Sequence, residues 1–269
     1  MTNTPITLSI AGSDSGGGAG IQADIKAISA TGGYACTVIT ATTAQNTIGV
    51  TDVHAIPLDH IEAQLDAVFT DLNVQAVKIG MLANAEIIQL IARKLRQYQP
   101  KHIVLDPVMV ATSGDLLLQQ TAIQNLIDEL LPLATLITPN LPEAATLLNT
   151  HVPDSEQAIR ELIPALQQLP TKAVLLKGGH LESLPDSNDW LITNGDVQTF
   201  TTPRIDTQNT HGTGCTLSSA IASYLAQGAD LTSAVQQAKD YLTGAIAASN
   251  QLQIGQGHGP VHHFYQWQR

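Results

Sequence analysis

The chain has 269 residues, enough for one large α/β domain or two small ones, and 43% of them are hydrophobic, ample material for a core. Its 12 Lys and Arg against 23 Asp and Glu give a net charge of −11, with no basic run, which excludes a nucleic-acid partner because phosphate backbones need clustered cations. No apolar stretch approaches membrane-spanning length. With two distant cysteines, Cys36 and Cys215, and a start without a basic segment or signal-length apolar run, the chain reads as a soluble protein of a reducing cytoplasm.

In chain order, Ile6 to Ala11 is a β-type run that ends in a glycine-rich loop, Gly12 to Gly20, and IQADIKAISA continues as a helix. No Lys-Ser or Lys-Thr follows the last glycine, so this is not a Walker loop, and the dinucleotide spacing is missing as well. The loop still admits a flat ligand close to the backbone, and Asp24, one turn into the helix, either turns back towards it or is solvated. Tyr34 to Ala41 is a second strand, and Gln45 and Asn46 follow at its C-terminal end, where open α/β sheets bind ligands. Pro57 to Thr70 is an amphipathic helix, Val77 to Met81 a strand, and Ala85 to Tyr98 a helix that stops before Pro100.

His102 to Leu105 is a strand closed by Asp106-Pro107-Val108-Met109. A carboxylate there is a candidate Mg²⁺ or water ligand, and Asp before Pro is also an ordinary turn. Ser113-Gly114-Asp115 is a loop, Thr121 to Leu131 a helix and Leu136 to Thr138 a strand. Asn140 and Glu143 stand three apart at a helix start, as N-cap and N3 of a capping box or as phosphate and metal ligands. Ser155 to Leu169 is helical, and Ala173 to Leu176 delivers Lys177-Gly178-Gly179-His180, a lysine placed at a strand end to reach a phosphate. Asn194-Gly195-Asp196 marks a hairpin between Trp190–Thr193 and Val197–Phe200.

The stretch Asn209 to Ala220, NTHGTGCTLSSA, places Gly212, Thr213, Gly214 and Cys215 before a run of helical character. Exposed N–H groups of such a turn, and the positive end of a helix starting at Cys215 or Thr216, make an anion site. A thiol at its mouth is expected to have a stabilised thiolate. The other reading is a glycine loop before a buried helix with Cys215 as a core residue. Leu231 to Ala247 is a last helix, and the histidines of the tail, His258, His262 and His263, fit no standard metal spacing and read as a packed terminus. The strand–helix alternation predicts a mainly parallel sheet with helices on both faces, with no internal repeat or clear domain boundary.

IAGSDSGGGAGIQADIK, ITATTAQNT, VKIGML, LDPVM, ITPNLPEA, LLKGGH and RIDTQNTHGTGCTLSSA, in this order and at these separations, resemble the bifunctional hydroxymethylpyrimidine and phosphomethylpyrimidine kinases of thiamine biosynthesis. The resemblance spans nearly the whole chain and implies one ribokinase-like domain over residues 1–269, a three-layer α/β/α sandwich. It implies ATP-dependent, Mg²⁺-assisted phosphorylation of 4-amino-5-hydroxymethyl-2-methylpyrimidine and then of its monophosphate, and a homodimer, which suits a charged fraction of only 13%. By motif, Gly212, Thr213, Gly214 and Cys215 form the anion hole, with Cys215 where most ribokinase relatives carry an aspartate base. Lys177 neutralises the transferring phosphoryl group, and Asp106, Asn140 and Glu143 surround the triphosphate and metal. Gly12, Asp24, Gln45, Met81 and Val108 line the pyrimidine pocket. Gly17 departs from the serine common in the family. A pyridoxal or pyridoxine kinase shares the cysteine motif and is the nearest rival; a ligand sensor on this fold and a cysteine hydrolase using His211 are the others.

Overall fold

Alternation along the strands assigns the layers in the computed structural model, which describes residues 4–109, 120–179, 181 and 186–267. Ser113, Gly114, Asp115 and His180 lie outside the described residues. The strands are β1 (Ile6–Asp14), β2 (Tyr34–Gln45), β3 (Val50–Ala55), β4 (Val74–Ile79), β5 (His102–Leu105), β6 (Leu136–Ile137), β7 (Ala173–Lys177), β8 (Asp186–Thr193) and β9 (Asp196–Pro203). The α-helices are α1 (Gly20–Ala30), α2 (Leu58–Asp71), α3 (Ala85–Tyr98), α4 (Gln120–Asn125), α5 (Leu141–Leu147), α6 (Glu156–Leu166), α7 (Thr213–Ala226) and α8 (Leu231–Ala247).

The strands form one nine-stranded sheet in the order β3-β2-β1-β4-β5-β6-β7-β8-β9. The central strands pair in parallel, and β3, β8 and β9 are antiparallel additions at the two edges. Val77, Ile79, Ile103, Leu105, Ile137, Val174 and Leu176 pack into one core with Ile61, Leu65, Ile87, Ile91, Leu141 and Ile159 from α2, α3, α5 and α6. Ala76, Val104, Leu136, Ala173 and Leu175 point the other way, onto Ala27 of α1, Leu217 and Ile221 of α7, and Val235 and Ala238 of α8. This is the three-layer arrangement that the alternation of elements requires.

Several elements depart from the sequence pattern for identifiable reasons. β3 is an edge strand whose residues are nearly all exposed, so it carries no apolar alternation. The helix expected over Thr121 to Leu131 is α-helical only to Asn125; it widens into a π turn at Leu126–Leu130 and tightens into a 3₁₀ turn at Leu131–Leu133, where Pro132 lacks an N–H to continue the ladder. α7 begins at Thr213, earlier than expected, because Gly212 supplies an N-terminal turn at φ 80°. Gly17 also has a positive φ, 79°, the region that favours glycine over a residue with a side chain, and its carbonyl accepts from Lys26 Nζ at 2.7 Å.

Candidate active site

The C-terminal ends of β1, β2, β4, β5 and β7 open into one cavity of about 1130 Å³, roofed by the first turn of α7. Cavities at the carboxyl edge are the ordinary ligand sites of open α/β sheets. The glycine loop after β1 packs against the α7 turn so closely that a Cβ on Gly212 would collide with the Gly18 carbonyl. Asp14 closes that loop: its carboxylate accepts the N–H groups of Gly16, Gly18 and Ala19 at 2.8–2.9 Å, and its Oδ2 lies 3.0 Å from His211 Nε2.

Asp106, at the end of β5, is buried and accepts from Lys177 Nζ at 2.9 Å and from Thr138 Oγ1 at 3.1 Å. Lys177 ends β7, held by its own N–H to the Pro139 carbonyl, and Glu143 Oε2 lies 3.8 Å from its ammonium. Burial works against the Lys177 charge, but Asp106 and Glu143 outweigh it and push the pKa up to about 12. Burial and the neighbouring Asp106 raise the Glu143 carboxyl to about 7 against the pull of Lys177. Asn140 and Glu143 also form a complete capping box at the start of α5, so the capping geometry and the cavity position coexist. A Cβ on Gly214 would stand 3.4 Å from both Asp106 Oδ2 and Lys177 Nζ, which puts the bare first turn of α7 directly opposite the ammonium–carboxylate pair.

Cys215 follows on the cavity wall. The stabilised thiolate expected there is corrected by the structure: burial, with Asp24 and Asp106 adding to it, outweighs Lys78 and the Gly20 N–H and pushes the thiol up to about 11. Asp24 is a second correction. It does not line the cavity and is not solvated; it is fully buried beneath it, paired through both oxygens with the equally buried Lys78 at 2.8 and 2.9 Å and accepting from Ser9 Oγ and Ser219 Oγ. Lys78, on the α7 side of β4, reaches the cavity floor.

Gly12, Gln45, Met81 and Val108 line one end of the cavity, and Thr213 and Asn140 line it beside the ammonium. A Cβ on Gly12 would run into the Met81 side chain, so glycine there opens the pocket. Ser15 Oγ donates to the Gln45 carbonyl and accepts its N–H, both at 2.8 Å, which ties the end of β2 to the glycine loop. The opposite end, beyond Lys177, is walled by Leu242, Thr243 and Ile246 of α8. Asp14, Thr43, Lys78 and the α8 wall were not singled out from the sequence. His211 hydrogen-bonds Asp14 and neighbours Gln45 rather than Cys215, which removes the partner a cysteine hydrolase needs. Cys36 and His263 are packing residues: burial raises the Cys36 thiol to about 11, and His263 is buried against Thr216. No group of three or more His, Cys, Asp or Glu residues able to hold a metal occurs among the described residues.

A carboxyl-edge cavity whose glycine-led helix N-terminus faces a lysine and two carboxylates, on this sheet, defines a phosphotransferase of ribokinase-like fold. The family model described as phosphomethylpyrimidine kinase matches residues 14–262. The hydroxymethylpyrimidine/phosphomethylpyrimidine kinase of Rhizobium meliloti (strain 1021) is 53% identical over 264 residues, 98% of each chain. This chain belongs to the hydroxymethylpyrimidine/phosphomethylpyrimidine kinase family. The phosphomethylpyrimidine kinase of Clostridium difficile 630 superposes with a TM-score of 0.79 at 46% identity, covering 90% of this chain and 99% of that one. Bacillus subtilis pyridoxal kinase, solved as an ADP complex, superposes with a TM-score of 0.91 at 35% identity over 99% and 100% of the two chains. No helix among the described residues is long and apolar enough to cross a membrane.

Proposed function

We propose that the chain transfers the γ-phosphoryl group of ATP to the hydroxymethyl oxygen of 4-amino-5-hydroxymethyl-2-methylpyrimidine, and then a second phosphoryl group to the monophosphate, as a step of thiamine diphosphate biosynthesis. The observation that carries the reading is the convergence of Gly214, Asp106 and Lys177 on one point of the cavity, with Cys215 next in the chain. The Gly212–Cys215 turn offers backbone N–H donors to the transferring group, and Lys177 matches the negative charge on its equatorial oxygens. Gly12, Gln45, Met81 and Val108 hold the ring at one end, and the α8 wall accommodates the nucleotide at the other.

Mg²⁺ fits the donor set: two buried carboxylates face a single ammonium, and Mg²⁺ is commonly held by one or two carboxylates together with substrate phosphates. Asp106 and Glu143 would hold it, and the ion would supply charge neutralisation of the polyphosphate. Cys215 takes the hydroxyl proton, and because the resting group is a thiol, the working form is its minor thiolate. One set of transfer residues serves both phosphorylations, which requires the monophosphate to turn so that its own oxygen becomes the nucleophile. The reading includes a homodimer in the cytoplasm, as the family resemblance implies.

The second reading, a pyridoxal kinase, is favoured by the close superposition on the pyridoxal kinase backbone. A coupled ATP-consumption assay run in parallel on the pyrimidine alcohol, its monophosphate and pyridoxal separates the two. The proposal expects the two pyrimidines to be turned over with the higher kcat/KM; a preference for pyridoxal would replace it by the second reading.

A further inference from the structure

The hydrogen atoms around Gln45 can be counted. Thr43 Oγ1 lies 2.9 Å from the Ser13 carbonyl oxygen and 3.0 Å from Gln45 Oε1. A hydroxyl has one hydrogen and both of these oxygens accept, so only one contact can be served; given to Ser13, the shorter contact, the hydrogen leaves Thr43 with a lone pair for the amide. At the other end of the amide, Gln45 Nε2 lies 3.5 Å from His211 Nε2, which is also 3.0 Å from Asp14 Oδ2. Burial opposes the Asp14 charge, but hydrogen bonds from His211, Ala19 and Gly16 hold its carboxyl below the usual carboxylate range. Facing a carboxylate, His211 Nε2 carries a hydrogen. With its nitrogen towards His211, the amide would set donor against donor at one end and acceptor against acceptor at the other. A half-turn of the carboxamide, which leaves its shape unchanged, removes both like-against-like contacts: the NH₂ donates to Thr43 Oγ1, and the carbonyl takes the longer, weaker branch of the one Nε2 hydrogen that His211 gives chiefly to Asp14. Turning the histidine ring over instead would set Cε1 in place of Nε2 against Asp14 and forfeit that hydrogen bond.

We propose that Asp14, His211 and Thr43 act as positioning residues that lock the Gln45 amide with its carbonyl towards His211 and its NH₂ towards Thr43, and so decide which way round an aminopyrimidine binds. The inference rests on the reading of Gln45 as the group that pairs with the ring. The amide NH₂ pairs with the ring nitrogen and the carbonyl with the exocyclic amino group, as glutamine pairs with the edge of adenine. The locked amide therefore places the ring nitrogen on the Thr43 side and the amino group on the His211 side. In the 4-amino-5-hydroxymethyl ring, the hydroxymethyl carbon sits one ring position past the amino group, away from that nitrogen. His211 leads directly into Gly212–Cys215. The locked orientation carries the reacting hydroxyl towards the anion turn and the thiol, whereas the reverse carries it away.

The test is a set of substrate ratios. The wild type and the variants His211→Leu, Thr43→Val and Gln45→Met are assayed for kcat/KM on the parent pyrimidine alcohol, on an analogue lacking the 4-amino group, on an analogue with CH in place of the adjacent ring nitrogen, and on pyridoxal. Each comparison is a ratio measured on one preparation, so a partly folded variant leaves it unmoved. In the wild type each deletion costs about tenfold to hundredfold, the range for a buried polar group left unpaired. In His211→Leu the cost of losing the amino group shrinks while that of losing the ring nitrogen stays; in Thr43→Val the reverse holds. His211→Gln and Thr43→Ser, which keep a donor and a hydroxyl, restore the wild-type pattern, and Asp14→Asn, which frees the imidazole tautomer, reproduces the His211→Leu pattern if that variant does not fold. A crossed pattern, or none, overturns the lock. If Gln45→Met leaves the pyrimidine-to-pyridoxal ratio unchanged, the reading of Gln45 itself falls; if Gln45→Met shifts it while His211 and Thr43 show no coupling, only the lock falls.

Discussion

Asp24→Ala should destabilise the chain by about 3–5 kcal/mol, the range for removing one partner of a buried ion pair. Both side chains of the Lys78–Asp24 pair are fully buried, and the carboxylate takes two contacts from the ammonium, at 2.8 and 2.9 Å, and two more from Ser9 and Ser219 at 2.5 and 2.7 Å. Alanine leaves an ammonium without a counter-charge and two hydroxyls without their acceptor in a place water does not reach. For a chain of this size each kcal/mol moves Tm by roughly 2–4 °C, so the midpoint should fall by about 6–20 °C. The double variant Asp24→Leu/Lys78→Met removes both charges and should recover most of the loss, since a buried pair replaced by apolar groups is often neutral or better. Urea and thermal melts at one protein concentration measure both. A single variant within about 1 kcal/mol of wild type, or a double variant no more stable than the single, would refute the account of the pair as a mutually dependent buried unit.

Cys215→Ala should lower kcat by roughly 10²–10⁴ on both pyrimidine substrates, the usual worth of a general base. Because the thiol lies near 11, wild-type kcat/KM should climb with pH across the neutral range as the thiolate fraction grows, and the alanine variant should lose that climb; a flat wild-type profile would remove the base role. Lys177→Ala should depress kcat more than it raises KM for the pyrimidine, since its charge meets oxygens that become most negative in the transition state; a change confined to KM would assign it to ground-state binding. His263 is held neutral by burial, with Lys26 and His262 adding to it, and its pKa is pushed down to about 3 from 6.5. The unfolded chain takes up the proton first, so this residue's contribution is complete above about pH 6.5 and is lost as pH falls towards 3, at about 1.4 kcal/mol per unit. His263→Gln should flatten that part of the stability–pH curve, measured by urea melts from pH 7 to 4.

The sheet was legible in the sequence because buried parallel strands read as short apolar runs and the helices between them carry a 3.6-residue stripe. β1 and β2 run on into Gly12-Ser13-Asp14 and Thr42-Thr43-Ala44-Gln45, whose polar composition hides a pairing that persists to Asp14 and Thr43. Cys215, Lys177, Asp106 and Gln45 could be picked out because Lys177 and Gln45 end a strand, Asp106 follows one and Cys215 lies in the first turn of a helix beside glycines. Asp24 was misplaced for a physical reason. Its partner Lys78 is 54 positions away, in the middle of an apolar strand, and nothing local announces that a lone lysine there has a carboxylate waiting on the helix above. Asp14 and His211 are 197 positions apart, and their meeting depends on how closely two glycine turns pack. The thiol was misjudged because the helix terminus is a local feature, whereas the burial and carboxylates that oppose it come from the assembled fold.

The nine-stranded sheet separates two kinds of work along its width. The groups we assign to phosphate come from β5, β7 and the first turn of α7, whereas Thr43 and Gln45 are carried on β2, next to the outermost strand β3 on one side. On the proposed reading, a change in the hairpin of β2 and β3 alters the Gln45 contact without touching Asp106, Lys177 or the α7 turn. The phosphomethylpyrimidine kinase and the pyridoxal kinase that share this backbone fit that division, with one end for phosphoryl transfer and a ring end free to differ.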